Sequence, residues 1–164
     1  MPAGSTYTPI ATTTLGSGSS SVTFSSISGS YTDLILVANA ACTATGQWIA
    51  LRFNSDSGTN YSDTVLEGNG STASSNRESN LNRAQFVYNS GTDSTYGTVT
   101  FNIQNYSNST TYKTTLGRWN YAGNATTAGV AMWRNTAAIT SVTLVSSGTM
   151  TTGSTFTLYG IQAA

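Results

Sequence analysis

The feature that most constrains this chain is an alternation of apolar and polar side chains at every second residue. Ile49, Leu51 and Phe53 follow this spacing, and residues 99–103 repeat it. Successive side chains of a strand point to opposite faces of a sheet, so the spacing is typical of half-buried β-strands. No segment has a convincing helical period. The sequence therefore predicts an all-β protein.

Clusters of Gly, Ser and Asn separate the alternating segments. The predicted strands cover residues 10–15, 22–27, 31–41, 47–53, 81–88, 96–106, 111–121, 129–134, 139–146 and 154–161. The continuous apolar run at 34–37 indicates a strand that is buried on both faces. Short strands with frequent turns are typical of two-layered antiparallel folds. We therefore predict an antiparallel β-sandwich of the jelly-roll type with nine or ten short strands.

The length of 164 residues predicts a single domain, which we place at residues 10–164. Within it, residues 54–80 are rich in Ser, Gly, Asn and acidic residues, which predicts a long loop with one helical turn at 62–67. Residues 1–9 are predicted to form an N-terminal arm. Two interpretations of the arm are open: it crosses onto a neighbouring copy, or it is a frayed terminus.

Charge is scarce. Only 7% of the residues are charged, compared with about 25% in an ordinary soluble domain, and six Lys and Arg balance six Asp and Glu. The polar surface comes instead from 24 Ser and 30 Thr. This composition provides no basic patch for a nucleic acid or an anionic membrane.

The longest apolar run, 34–38, is far shorter than the roughly 20 residues of a membrane helix. Residues 1–30 lack the basic and apolar segments of a secretory signal, so we expect synthesis in a cytoplasm.

Most of the residue types used in catalytic sites are missing. There is no His, the usual general base of a catalytic triad and a usual zinc ligand. Cys42 is the single cysteine, follows an apolar segment and is interpreted as a buried structural thiol. There is no phosphate-binding Gly-rich loop, and Lys113 is the only lysine. We predict no catalytic, cofactor-binding or metal-binding residue, no cofactor and no enzymatic activity, and the sequence identifies no partner-binding residue.

Paired carboxylates are the one catalytic arrangement that the composition permits, because two acidic residues can hydrolyse a glycoside. The six acidic residues are Asp33, Asp56, Asp63, Glu67, Glu78 and Asp93. Four of them lie within the predicted loop, where solvated acidic residues are common. Nothing in the sequence places two of them at a catalytic separation. A glycosidase is therefore the last of the three functions that the sequence leaves open.

A calcium loop is a second possible site. Asn54, Asp56, Gly58 and Asn60 alternate as the oxygen ligands of such a loop do. The pattern departs from a calcium loop because Gly58 has no side-chain oxygen and the twelfth position is Val65 rather than Glu. An ordinary turn rich in Asn, Asp and Gly explains the same residues without a metal.

The aromatic residues allow two interpretations. Each tryptophan shares a predicted strand with an arginine, in the pairs Trp48 and Arg52, Trp119 and Arg118, and Trp133 and Arg134. Exposed Trp and Tyr side chains could stack on sugar rings or anchor a protein interface beside Arg. In the alternative interpretation, the aromatic rings fill the core and the Arg side chains lie along them.

Several segments resemble one family. The segments are 137–144 (AAITSVTL) and 153–161 (GSTFTLYGI) near the C-terminus, 7–15 (YTPIATTTL) near the start, and 51–54 (LRFN) and 60–62 (NYS) in the middle. Together they resemble small virion structural proteins of tailed phages, of the cyanophage kind, and the resemblance spans most of the chain. It implies a β-sandwich or jelly-roll module that decorates capsids or builds fibres and tail appendages, often as a trimer. No catalytic residues belong to the pattern.

The resemblance predicts a virion protein, most simply a capsid decoration (cement) protein that stabilises the shell through protein–protein contacts. Its partners would then be the major capsid protein or other virion proteins, and copies of itself in a homotrimer. A surface of hydroxyl groups fits this role, because hydroxyl groups are desolvated at lower cost than charges. The alternative is a tail-fibre or appendage module that binds a host-surface glycan.

Overall fold

The computed structural model describes residues 6–87, 95–121 and 125–162, and all regular secondary structure in these ranges is β-strand. The strands are β1 (Tyr7–Thr14), β2 (Ser19–Phe24), β3 (Asp33–Ala40), β4 (Ile49–Phe53), β5 (Tyr61–Gly68), β6 (Ala73–Leu81), β7 (Ala84–Val87), β8 (Gly97–Gln104), β9 (Lys113–Tyr121), β10 (Ala125–Trp133), β11 (Val142–Met150) and β12 (Thr155–Ile161). The predicted all-β class is confirmed. Within the described ranges, no helix is long and apolar enough to cross a membrane.

The strands form two antiparallel sheets. The large sheet has the order β1-β12-β3-β8-β9-β10-β5-β6, and the small sheet has the order β2-β11-β4-β7. Strands β1 to β4 alternate between the two sheets, as do β7 and β8, and then β11 and β12. Four strands of the large sheet, β1-β12-β3-β8, thus face the small sheet with the strand order of a jelly roll, as the sequence predicted.

Two hairpins extend the large sheet beyond this eight-stranded jelly roll. Strands β5 and β6 are inserted between β4 and β7, and β9 and β10 are inserted between β8 and β11. The inserted strands continue the large sheet from β8 outwards, and β7 of the small sheet packs across β5, β9 and β10. The described chain therefore has twelve strands, more than the nine or ten predicted.

The core lies between the sheets and follows the predicted alternation. Leu34 and Leu36 of β3, Phe101 of β8 and Leu158 of β12 project inwards from the large sheet, and Leu144 of β11 projects from the small sheet. All five are fully buried. Cys42 is buried in the same core, with Sγ 3.4 Å from Ser146 Oγ, so the predicted structural thiol is confirmed.

The predicted loop at residues 54–80, with its helical turn at 62–67, is wrong. Only 54–60 is a turn, and the rest is the β5–β6 hairpin, which Asn69 closes by accepting hydrogen bonds from the backbone N–H groups of Ser71 and Thr72. Strand β6 lies at the edge of the sheet and is exposed along most of its length. It therefore has no apolar alternation that a sequence pattern could reveal. Ser and Asn side chains and Arg77 cover this edge, which helps to prevent uncontrolled strand pairing.

The predicted arm at residues 1–9 is also corrected in part. Strand β1 begins at Tyr7 and pairs with β12, where Tyr7 is opposite Ile161 and Thr8 is opposite Gly160. Residues 7–9 therefore belong to the large sheet rather than to an arm. Residues 1–5 lie outside the described residues, as does Asp93.

Candidate functional site

Two of the three tryptophans belong to the core. Trp133, at the end of β10, is 1% exposed and stacks on Tyr61 of β5, with ring centroids 6.3 Å apart. It also packs against Phe53 of β4 at 5.6 Å. Trp119 of β9 is 2% exposed and occupies the space beside Gly97, where a Cβ atom would overlap its ring. For these two residues the structure supports the core interpretation and excludes sugar stacking on an exposed ring.

Asp56 connects the turn after β4 to this aromatic cluster. Its Oδ2 accepts hydrogen bonds from Trp133 Nε1 at 2.7 Å and Asn60 Nδ2 at 2.9 Å, and its Oδ1 accepts one from the Gly58 N–H at 2.8 Å. Burial raises the pKa of Asp56, but the hydrogen bonds from Trp133, Asn60 and Gly58 outweigh this effect and hold the pKa below its ordinary value.

The same contacts explain the segment that resembled a calcium loop. Both carboxylate oxygens of Asp56 face hydrogen-bond donors. Asn54 Oδ1 accepts hydrogen bonds from the backbone N–H groups of Thr140 and Ser141. Oxygens held by donors in this way do not converge on a cation, so the geometry supports the turn interpretation.

The other acidic residues that the structure describes do not form an open catalytic pair. Asp63 and Glu78 are directly opposite each other on β5 and β6, but Asp63 is 3% exposed, so this pair does not present two carboxylates to solvent. Glu67 lies four residues further along β5 than Asp63, opposite Ser74. Asp33 lies at the start of β3, where its Oδ1 accepts a hydrogen bond from the Asn105 N–H.

Lys113, the only lysine, is buried at the start of β9. Its Nζ donates hydrogen bonds to the carbonyl oxygens of Thr111 at 2.8 Å and Thr136 at 3.0 Å. Burial lowers the pKa of Lys113. This ammonium group therefore connects β9 to the segment after β10 and presents no charge for a ligand.

The third tryptophan borders a groove on the outer face of the small sheet, which we call the Trp48 groove. The groove has a volume of about 440 Å³ and is lined by Ser20, Ser21, Thr23, Trp48, Arg52, Ser55, Thr143, Val145 and Ser146. Its floor is formed by adjacent strands, because Thr23 pairs with Thr143 and Thr143 with Arg52 across β2, β11 and β4. None of these lining residues is acidic. The groove thus combines hydroxyl groups, one indole and one guanidinium.

Arg52 and Arg83 lie on the side of the groove that contains the Trp48 indole. Arg52 Nε donates a hydrogen bond to the carbonyl oxygen of Asn82 at 3.0 Å. The Arg83 guanidinium lies over the Trp48 ring, 3.8 Å from its centroid, and its Nε donates to Gln85 Oε1 at 2.6 Å. The sequence pairs Trp48 with Arg52 and gives no sign of Arg83. No local pattern could have identified Arg83, because Trp48 directly precedes β4 and Arg83 directly precedes β7, so the stack joins segments that are distant in the chain.

The second surface is the outer face of the large sheet, where a row of apolar side chains is exposed. Leu116 of β9 and Val130 of β10 are directly opposite each other and are 46% and 44% exposed. Leu66 of β5, which is 61% exposed, lies one row away, since Leu66 is opposite Ala128. On the other side of Leu116, the row continues through Asn102 to Ile35. We call Leu66, Leu116, Val130 and Ile35 the outer apolar row.

At the start of β9, polar or small side chains face the core and an apolar side chain faces solvent, an arrangement that we call the β9 inversion. Lys113, Thr115 and Gly117 face the core, whereas Leu116 faces solvent. Tyr112, just before the strand, is 53% exposed. The inner positions at this end of β9 are small or polar, and β7 packs against the strand.

Comparisons with known proteins assign no family. No protein-family model matches the chain, and no curated protein matches it. Among solved structures, the chain is similar to the alginate lyase Aly36B, with a TM-score of 0.37 and 10% identity over 92% of this chain and 77% of that chain. A similarity of this size defines neither a family nor an activity.

Proposed function

We propose that this chain is a structural protein of a phage virion, a capsid decoration (cement) module that acts through protein–protein contacts. The observation that carries the proposal is the β9 inversion, which exposes Leu116 beside Val130 of β10 on a broad sheet face while it buries Lys113. Apolar residues exposed together on a sheet face are typical of interaction surfaces. The resemblance of the chain ends to virion proteins supplies the partner class.

The outer apolar row is suited to contact copies of the chain and a shell protein. Its neighbours on the sheet face are mostly uncharged, such as Thr64 and Asn102, with Asp33, Arg77 and Arg118 as exceptions. Contacts made by such a face bury apolar area and form hydroxyl hydrogen bonds, and they depend little on ionic strength. We expect the isolated protein to form a homotrimer, and the proposed location is the assembled virion.

The test is binding of the purified protein to capsids that lack it, with the bound copy number measured by quantitative mass spectrometry. We expect many copies over the shell and, in light scattering, a particle of three times the chain mass of 17.1 kDa. The double variant L116S/V130T should lose both properties. V145T, on the outer face of the small sheet, is the matched control and should retain them. A monomer at micromolar concentration that does not bind capsids would refute the proposal.

The alternative function is a fibre or appendage module that binds a host-surface glycan. The observation that favours it is the Trp48 groove, because a partly exposed indole beside hydroxyl groups is a common environment for a sugar ring. Copy number distinguishes the two functions. A few copies at one vertex, together with binding of host glycans, would favour the appendage.

A further inference from the structure

We infer that the Trp48 groove is a binding site for an acidic saccharide. The inference does not depend on virion assembly, because the groove and the outer apolar row lie on opposite outer faces of the sandwich. It extends the glycan alternative by specifying the position and the charge of the ligand.

The indole is held in a fixed position at the groove. The backbone N–H of Trp48 donates a hydrogen bond to Ser147 Oγ at 3.0 Å. The backbone N–H of Ser147 donates back to the Trp48 carbonyl oxygen at 3.1 Å. Arg83 covers the ring at 3.8 Å. The main chain and the ring of Trp48 are thus positioned before a ligand arrives, which reduces the entropy lost on binding.

The floor of the groove matches the two kinds of surface on a sugar. Val145 provides an apolar centre for the C–H groups of a pyranose ring. The hydroxyl groups of Thr23 and Thr143 lie 3.0 Å apart beside it and provide donors and acceptors for sugar hydroxyls. A volume of about 440 Å³ accommodates one or two sugar rings, because small-ligand sites have volumes of roughly 300–1,000 Å³.

Arg52 determines the charge of the ligand. Its Nε bonds to the Asn82 carbonyl oxygen, and within the described residues no acceptor is hydrogen-bonded to its two terminal nitrogens. No acidic residue lines the groove to neutralise this guanidinium. The planar pair of terminal N–H groups matches a carboxylate or a sulfate ester. A uronic acid or a sulfated sugar would place its anionic group there while its ring lies over Val145.

The experiment uses the full chain and follows its three indole N–H resonances by NMR, with the Trp48 resonance assigned from W48F. The probes are a tetramer of galacturonic acid, a sulfated galactose tetramer, the neutral galactose tetramer and inorganic sulfate alone. We expect the Trp48 resonance to shift with one or both acidic tetramers, because Trp119 and Trp133 are buried and remote from the groove. The neutral tetramer should bind at least about fivefold more weakly, given the strength of charge-assisted hydrogen bonds.

Variants separate recognition of charge from general damage. R52Q should reduce the preference for the acidic tetramers to near unity, whereas R52K should retain part of it. R118Q is the matched control, because Arg118 lines a groove of about 430 Å³ on the large sheet, beside a buried tryptophan, and should change nothing. Thermal unfolding of each variant verifies its fold.

Three results would overturn the inference. The first is the absence of a Trp48 shift with either acidic tetramer. The second is equal affinity for the neutral and acidic tetramers, or for inorganic sulfate alone. The third is an unchanged preference in R52Q. A failure to bind capsids would leave this site intact, so the inference and the cement function can fail separately.

Discussion

The carboxylate of Asp56 accepts a hydrogen bond from the indole nitrogen of Trp133, with 2.7 Å between Oδ2 and Nε1. This bond joins the turn after β4 to the last residue of β10, and the two residues are 77 positions apart in the chain. It gives a buried N–H group its acceptor, and it holds Trp133 against Tyr61 and Phe53. A residue that looked like a metal ligand in the sequence is therefore a structural link between two strands.

Replacement of Asp56 by Ala should destabilise the fold by about 1–3 kcal/mol, because Trp133 Nε1 loses its acceptor in a buried environment. Chemical unfolding followed by tryptophan fluorescence measures the change. Glu67→Gln, on the less buried end of β5, is the control and should change stability by less than about 0.5 kcal/mol. Equal effects of the two substitutions would contradict the structural role of Asp56.

The stability contributed by Asp56 should depend on pH. Its folded-state pKa lies below the ordinary value of 3.8, so the folded protein favours the ionised form. The contribution is fully present above the ordinary pKa and is lost as the pH falls through the lowered value. In thermal unfolding from neutral to acidic pH, the wild type should lose more stability below about pH 4 than D56A does. Parallel pH profiles of the two proteins would disprove this linkage.

Lys113 should be protected from amine-reactive reagents in the native protein. Its Nζ is buried between the carbonyl oxygens of Thr111 and Thr136, so modification requires local opening. Peptide mass spectrometry after brief labelling should find Lys113 modified in denaturant and almost unmodified in buffer. Replacement by Met should cost about 1–3 kcal/mol, because two carbonyl groups lose their donor. Rapid native labelling would show that the β9 inversion is incorrect.

Gly97 should tolerate no side chain. A Cβ atom there would overlap the ring of Trp119 and crowd the Asn120 carbonyl oxygen, so Gly97→Ala should destabilise the protein by about 1–3 kcal/mol. Gly16→Ala is the matched control, because nothing lies within 4 Å of a Cβ atom at that position. The free energies of unfolding in urea provide the comparison. A Gly97→Ala variant as stable as the control would mean that Trp119 is not packed in this position.

The hairpin β5–β6 shows why one part of the fold was missed. Strand β5 buries Tyr61, Asp63 and Val65 on one face, but the acidic residue interrupts the apolar pattern, and β6 has little apolar content. Their pairing comes from the backbone ladder and from the Asn69 side chain in the turn, not from hydropathy. Edge strands exposed to solvent lack the burial that produces a readable alternation.

The candidate sites could be predicted in part. The sequence pointed to Trp48 and Arg52, which do line one groove, but it also pointed to Trp119 and Trp133, which are buried. Local spacing alone does not distinguish these three tryptophans, because each lies in or beside a strand and within four residues of an arginine. Whether each indole ring is exposed or buried depends on how the two sheets pack against each other. The stack of Arg83 on Trp48 likewise joins two segments that are distant in the chain, one directly before β7 and one directly before β4.

The sequence by itself determined the strands of the jelly roll, the near absence of charge and the burial of Cys42, because period-two alternation and composition are local properties of the chain. The tertiary structure alone decided which face of a strand is buried where hydropathy does not indicate it. In β9, which packs against β7, Lys113, Thr115 and Gly117 face inwards and Leu116 lies in solvent. Which face of a strand is buried depends on the strands that pack against it in space. The burial of one face also decides which side chains line the two candidate surfaces.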